Sequence, residues 1–260
     1  MATLPAERKA LLFSEGGVRL ALRLSQVREV LAVPEEGGEV RVRGAAVPLL
    51  SLAVPLGLSG GPGTFAVVIE SATPLALRVS ELHGILDLAE CEVFQLPART
   101  LLPQPSPFQG AIVARRQIAL EVAVSSLGWA PLQPAEDLPD PPPEPPAAEE
   151  RELLFARDGR NFAVPLSLLV QVLEGARVFP VPLAPAAHRG LLYHERSIHP
   201  VFDVACLYRL PRSPEEARAV LLLDAGGDAV GVVADRVLGV GESGAAGEVI
   251  RPPWDAVFGG

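Results

Sequence analysis

One stretch of the chain occurs twice. Residues 153–173 read LLFARDGRNFAVPLSLLVQVL, and residues 11–31 read LLFSEGGVRLALRLSQVREVL. The two align without a gap at a spacing of 142 positions (Leu11 to Leu153). Leu11, Leu12, Phe13, Gly17, Ala21, Leu24, Ser25, Val30 and Leu31 are repeated as Leu153, Leu154, Phe155, Gly159, Ala163, Leu166, Ser167, Val172 and Leu173. Leucines can coincide by chance in an apolar sequence; Phe, Gly, Ala and Ser in the same register do not. A repeat of this kind points to a tandem of one domain, so any function belongs to a duplicated unit.

Each copy opens with an apolar run, a glycine turn and a second alternating run. Asp158-Gly159 between such runs signals a tight hairpin, because glycine accepts the positive φ that the turn needs. Leu166, Leu169, Val172 and Leu173 then recur at a spacing that predicts one or two helical turns. The Val27/Val30 stripe of the first copy is read as core. Further along, Phe65–Ile69 and Leu75–Val79 read as two β-runs around a turn at 71–74, and residues 110–124 as a closing hairpin turning near Arg115–Gln117. Val220–Leu223 and Val230–Val233 flank the turn Gly226-Gly227-Asp228. Many short strands punctuated by Gly and Pro argue for an all-β fold of barrels or sandwiches. Ser213-Pro214-Glu215-Glu216 is the other helix start, with an N-cap serine, proline at the first helical position and acids in the first turn.

Between the copies, residues 133–150 read QPAEDLPDPPPEPPAAEE, rich in prolines and acids and without a base. Fixed φ angles and like-charge repulsion predict an extended, semi-rigid spacer. The boundaries that follow are a first domain at 8–130, a linker at 131–150 and a second domain at 151–260.

The 260 residues carry a formal charge of -9, which argues against a nucleic-acid partner. The only lysine is Lys9, and the two cysteines, Cys91 and Cys206, lie in different halves, as buried thiols of a reducing compartment would. No stretch reaches the ~20 apolar residues of a membrane helix, so no direct membrane insertion is expected. No nucleophile elbow, phosphate-binding loop or zinc-protease motif occurs. The four histidines, His83, His188, His194 and His199, do not make a metal-ligand pattern. No catalytic residue, metal or cofactor is expected.

The second half carries GLLYHERSIHPVFDV at 190–204 and VGVVADRVLGV at 230–240. With the opening LLF…G…FAVPL, these resemble the CheW family of chemotaxis coupling proteins, whose pattern runs from an LLF-type strand through GLINLRGxVIPVIDL to GLxVDxVxGV. In the first half Arg43-Gly44 stands at the family's Arg-Gly, Pro48 at its proline and Gly84 at its late glycine, while Ser51 and Ser80 replace its two acids. In the second half Pro200 stands at the proline, Asp203 and Asp235 at the acids and Gly239 at the glycine, but Glu195-Arg196 replaces Arg-Gly.

The resemblance implies tandem CheW-like domains, each a pair of small SH3-like five-stranded barrels with short helical turns. It implies a non-enzymatic adaptor that couples chemoreceptors to a histidine kinase by protein contacts, in the cytoplasm at membrane-associated receptor arrays. The implied partners are the kinase's regulatory domain and the cytoplasmic tips of the receptors. The implied contact residues are Arg43, Gly44, Pro48, Gly84, Glu195, Arg196, Pro200, Asp203, Asp235 and Gly239. The alternative is a β-barrel ligand-binding sensor, which a deep pocket with convergent polar groups would favour. The second copy lacks a counterpart of the hairpin at 111–124, so its edge is expected to be covered by the first copy, by a second molecule or by a partner's strand.

Overall fold

The computed structural model describes residues 8–34, 37–60, 63–71, 75–127, 151–210, 217–242 and 248–258. The linker, the helix start at Ser213 and the turn at 72–74 lie outside them. The chain divides into two compact units: the described residues up to Leu127 with Val181–Ala184, and Arg151–Pro180 with Pro185–Phe258.

The first unit contains β1 (Lys9–Glu15), β2 (Val18–Arg23), β3 (Val27–Ala32), β4 (Glu39–Val42), β5 (Ala45–Ser51), β6 (Phe65–Ile69), β7 (Leu75–Val79), β8 (Glu81–Asp87), β9 (Glu92–Phe94), β10 (Phe108–Ala114) and β11 (Gln117–Val122). They form two antiparallel-dominated sheets, ordered β8-β1-β2-β11-β10-β9 and β3-β6-β7-β5-β4. The second unit contains β12 (Arg151–Arg157), β13 (Arg160–Pro165), β14 (Leu169–Glu174), β15 (Val178–Phe179), β16 (His188–His194), β17 (Ser197–Phe202), helix α1 (Val204–Leu207), β18 (Ala219–Asp224), β19 (Ala229–Ala234), β20 (Arg236–Glu242), β21 (Val249–Ile250) and helix α2 (Trp254–Phe258). Its sheets run β20-β12-β13-β21 and β14-β18-β19-β17-β16-β15. The fold is all-β, as expected, but the sheets hold six and five strands in one unit and four and six in the other, not five each.

The repeat extends to register. β1, β2 and β3 begin and end 142 positions before β12, β13 and β14. Pro48 pairs with Glu39 and Pro200 with Leu191, a spacing of 152. Gly84 pairs with Leu12 and Gly239 with Leu154, at a spacing of 155. The ladder shifts after both pairs, leaving His83 and Leu238 bulged. Both glycines have positive φ, 111° and 128°, which explains the residue type at the bulge.

The stretch after the first hairpin is a strand and not helical turns. A 3-10 turn at Leu24–Gln26 leads into β3, and β3 alternates half-buried and exposed residues. β3 pairs along its length with β6, and β14 with β18. Cross-strand pairing of β-branched Val27 and Val30 overrides the weak helical spacing. Val30 is 37% exposed, so it is not core.

The edge of β13 is covered by the unit's own chain. β21 pairs parallel with β13 at Asn161 and Phe162, the place that β11 takes on β2 at Leu20 and Ala21. A bidentate pair between Arg251 and Glu152 anchors the segment, with Nε–Oε1 at 3.0 Å and Nη2–Oε2 at 3.1 Å. The indole N–H of Trp254 then donates to the Ala163 carbonyl at 3.0 Å. Trp254 stacks on Phe258, and Phe258 meets Phe202. The unit's own chain thus pairs with this edge at Asn161 and Phe162, where the sequence reading expected cover from the first copy, a second molecule or a partner's strand.

Candidate functional site

Each copy has an exposed hairpin tip and a separate buried polar cluster. The tips are two-residue hairpin turns. Arg43 and Gly44 join β4 to β5 with φ of 49° and 90°, and Glu195 and Arg196 join β16 to β17 with φ of 47° and 62°. Two positive φ values match the right-handed twist of a hairpin, so Arg196 holds the same backbone shape that Gly44 adopts without strain. The Arg43 side chain is 71% exposed, and its Nε lies 3.6 Å from Glu29 Oε1 on β3. In the second copy Gln171 stands at the place of Glu29, and its Oε1 accepts from His194 Nε2 at 3.0 Å, which lies 3.7 Å from Glu195 Oε1. Both tips therefore lean on the third strand of their copy, but one presents Arg43 alone and the other Glu195 beside Arg196. Pro48 is exposed beside its tip and Pro200 is buried.

In the second copy, Arg157 at the end of β12 has no solvent exposure. Its Nη2 donates to Asp203 Oδ2 at 2.5 Å and its Nη1 to Asp235 Oδ1 at 2.5 Å. Asp203 also accepts from the Ala205 N–H at 3.2 Å and so caps α1. Asp235 also accepts from the Asp158 N–H at 2.8 Å, in the turn of the first hairpin. Burial alone would make the guanidinium easier to deprotonate. The bonds and charges of Asp203 and then Asp235 outweigh burial and raise its pKa.

Register places Glu15 where Arg157 stands, Ser51 where Asp203 stands and Ser80 where Asp235 stands. Glu15 is buried, and its Oε2 accepts from Ser80 N at 2.9 Å and Ser80 Oγ at 2.8 Å. Ser51 Oγ accepts from Ala53 N at 3.2 Å, the same local bond that Asp203 makes. Burial pushes the Glu15 carboxyl up, and the two bonds from Ser80 pull it part of the way back. One copy thus builds its cluster from a base and three acids, since Asp158 Oδ2 also lies 3.4 Å from Arg157 Nε, and the other from one acid and two hydroxyls. Arg157 and Glu15 were not singled out from sequence. The signal was present, since all three positions change together when the copies are aligned.

The bulged strands carry apolar side chains outward. Ile85 on β8 is 57% exposed, and Val240, at the same place on β20, is 49% exposed. Gly84 is exposed and Gly239 half-buried beside them. The remaining histidines stand apart. His199 Nδ1 lies 3.1 Å from the Ala229 carbonyl, and His83 Nε2 2.5 Å from Ser14 Oγ. His188 is buried edge-on to Phe202, and burial lowers its pKa to about 4. No group of His, Cys, Asp and Glu among the described residues could hold a metal ion, and no helix among them is long and apolar enough to cross a membrane.

Comparison with known proteins finds similarity over the second unit. The family model of the CheW-like domain matches residues 152–244. Among solved structures, the scaffolding protein TtCheW from Thermoanaerobacter tengcongensis is similar over 36% of this chain and 66% of its own, at 14% identity and a TM-score of 0.34. The match spans just under two thirds of that protein's length. No curated protein matches the chain. The matched segment runs from β12 through β20, and it holds the Glu195-Arg196 tip, the Arg157 cluster and the Gly239 bulge. The similarity to the CheW-like domain thus spans the second unit from β12 to β20.

Proposed function

We propose that the chain is a non-enzymatic adaptor of a chemosensory pathway, built from two CheW-like copies at 8–130 and 151–260 joined by the linker at 131–150. The family match over the second unit carries this reading. The first copy is assigned by its shared register, including the Arg43-Gly44 tip and the Gly84 bulge. In this reading the protein works in the cytoplasm at receptor arrays, where it joins chemoreceptor tips to the regulatory domain of a histidine kinase.

The tips and the outward apolar strands are the contact surfaces. An exposed arginine next to apolar side chains is a suitable anchor for a protein partner. Asp203 and Asp235 act through Arg157, because Asp203 has no solvent exposure. Two copies on one chain turn a second weak contact into an intramolecular one and raise avidity without new chemistry. Opposite charges at Arg43 and Glu195 would give the two copies different partners or different faces of one partner.

The test is a pull-down with the full chain as bait and receptor signalling fragments or the kinase regulatory domain as prey. Arg43→Glu is expected to weaken capture about tenfold or more, as loss of an anchor does, with stability changed by less than about 0.5 kcal/mol. Undiminished capture by Arg43→Glu, or no capture by the unaltered chain, would overturn the assignment.

A further inference from the structure

Arg78 and Val233 stand at the same place in the two copies. Arg78 on β7 pairs with Ala66 on β6, and Val233 on β19 pairs with Val220 on β18. The neighbouring backbone corresponds as well. The Val33 N–H donates to the Thr64 carbonyl and the Gly175 N–H to the Arg218 carbonyl, both at 2.9 Å. Ala176 therefore corresponds to Pro34, and Ala217 to Gly63.

In the first copy the space over this part of the sheet is filled by Arg78. Its guanidinium donates to the carbonyls of Pro34 and Gly63 at 2.8 Å and of Gly37 at 2.7 Å. Gly63 has no room for a side chain there, since an added Cβ would come within 2.7 Å of Arg78 Cγ. In the second copy valine replaces arginine, and among the described residues a cavity of about 460 Å³ lies there. Ala176, Val178, Ala217, Val220 and Val233 line it, together with two cations, Arg177 and Arg189. The Arg177 guanidinium lies 5.0 Å from the centre of the Phe179 ring, which holds its plane.

We propose that this cavity is a binding site for a small carboxylate with an apolar body. A volume of this size suits a small organic ligand, and such sites combine apolar walls with a few placed polar groups. The alanine and valine walls accept a short aliphatic or aromatic body. The guanidinium groups accept the carboxylate, for which their planar fork of donors is well shaped. The site lies on the sheet β14-β18-β19-β17-β16-β15 of the second unit and goes beyond the adaptor reading. It gives one copy a ligand-responsive element that the other copy has closed with its own side chain.

Calorimetric titration of the full chain with sodium hexanoate tests the proposal, with hexanol as the uncharged control. Saturable binding of one hexanoate per chain is expected, with hexanol at least about tenfold weaker, the usual worth of a charge-assisted bond. Arg177→Gln and Arg189→Gln should each weaken hexanoate about tenfold. Val233→Arg, which writes the first copy's plug into the second, should abolish binding. Circular dichroism checks that Val233→Arg folds; if it does not, the two glutamine variants decide. Absence of saturable binding, equal binding of hexanol, or undiminished binding in both glutamine variants would overturn the proposal. None of these outcomes bears on capture of receptor or kinase fragments, so failure here and failure of the adaptor reading are distinguishable.

Discussion

Arg157 and Asp203 form a buried ion pair in the second copy, with both side chains at 0% exposure and Nη2 to Oδ2 at 2.5 Å. Asp203 lies 46 residues along the chain from Arg157, and Asp235 lies 78. The cluster thus ties together the first hairpin, the cap of α1 and the start of β20. It joins the two sheets of the domain through groups that must be paired once they leave water. Replacing Arg157 by methionine leaves Asp203 buried without its cation. A loss of about 3–5 kcal/mol in the stability of the second unit is expected, measured by denaturant unfolding followed at Trp254. A loss below about 1 kcal/mol would mean that the pair contributes little.

The same place in the first copy predicts the opposite sign. Glu15 is buried with a raised pKa, because burial outweighs its bonds from Ser80. The folded state therefore binds the carboxyl proton more tightly than the unfolded state does. The stability linked to this group is fully present below the ordinary carboxylate range and is lost as pH rises through the raised value. Glu15→Gln keeps an oxygen acceptor for Ser80 and removes the charge. It should stabilise the chain at neutral pH and lose that advantage in acid. Destabilisation at neutral pH, read from thermal unfolding, would show that the carboxylate is needed.

His188 sets an acid limit on the second copy. It is buried, and neither ring nitrogen has a hydrogen-bond partner among the described residues. Burial lowers its pKa from 6.5 to about 4. The unfolded state takes up the proton first, so stability is full above about pH 6.5 and falls as pH drops toward 4. The loss is on the order of 3 kcal/mol, from about 1.4 kcal/mol per pH unit. His188→Phe should flatten the pH dependence of unfolding in that window; an unchanged slope would place the effect elsewhere.

Trp254 covers the edge of the first hairpin of the second copy. Trp254→Ala removes its stacking on Phe258 and its tilted contact with Phe155, and it leaves the Ala163 carbonyl without the indole donor. A cost of about 3–5 kcal/mol is expected for deleting a buried tryptophan, with increased binding of a hydrophobic dye. Trp254→Phe should cost less and report mainly the missing hydrogen bond, about 1–3 kcal/mol. A dye-silent Trp254→Ala variant of unchanged stability would mean that the edge does not need this cover.

Local chemistry made much of this legible in advance. Asp158-Gly159, Gly226-Gly227 and Arg115–Gln117 marked turns, and the runs at 65–69 and 75–79 are β6 and β7. Turn residues and two-residue alternation act over a few positions, so the sequence carries them directly. The duplication was legible too, because 142-residue spacing survives wherever no insertion intervenes, as in β1–β3 and β12–β14. The β3 and β14 segments were misread as helical because their strand state depends on pairing with β6 and β18, tens of residues away. The tail was misread for a similar reason. Val249–Ile250 is too short to announce itself as a strand, and only the open edge at Asn161 and Phe162 makes it one. Sequence by itself determined the turns, the strands that alternate locally and the repeat at a spacing of 142. Tertiary structure decided which residues separated along the chain share one buried site, because burial and pairing of charges depend on distance in space. That is how Arg157 comes to lie between Asp203 and Asp235, and how exchanging Arg78 for Val233 becomes a cavity.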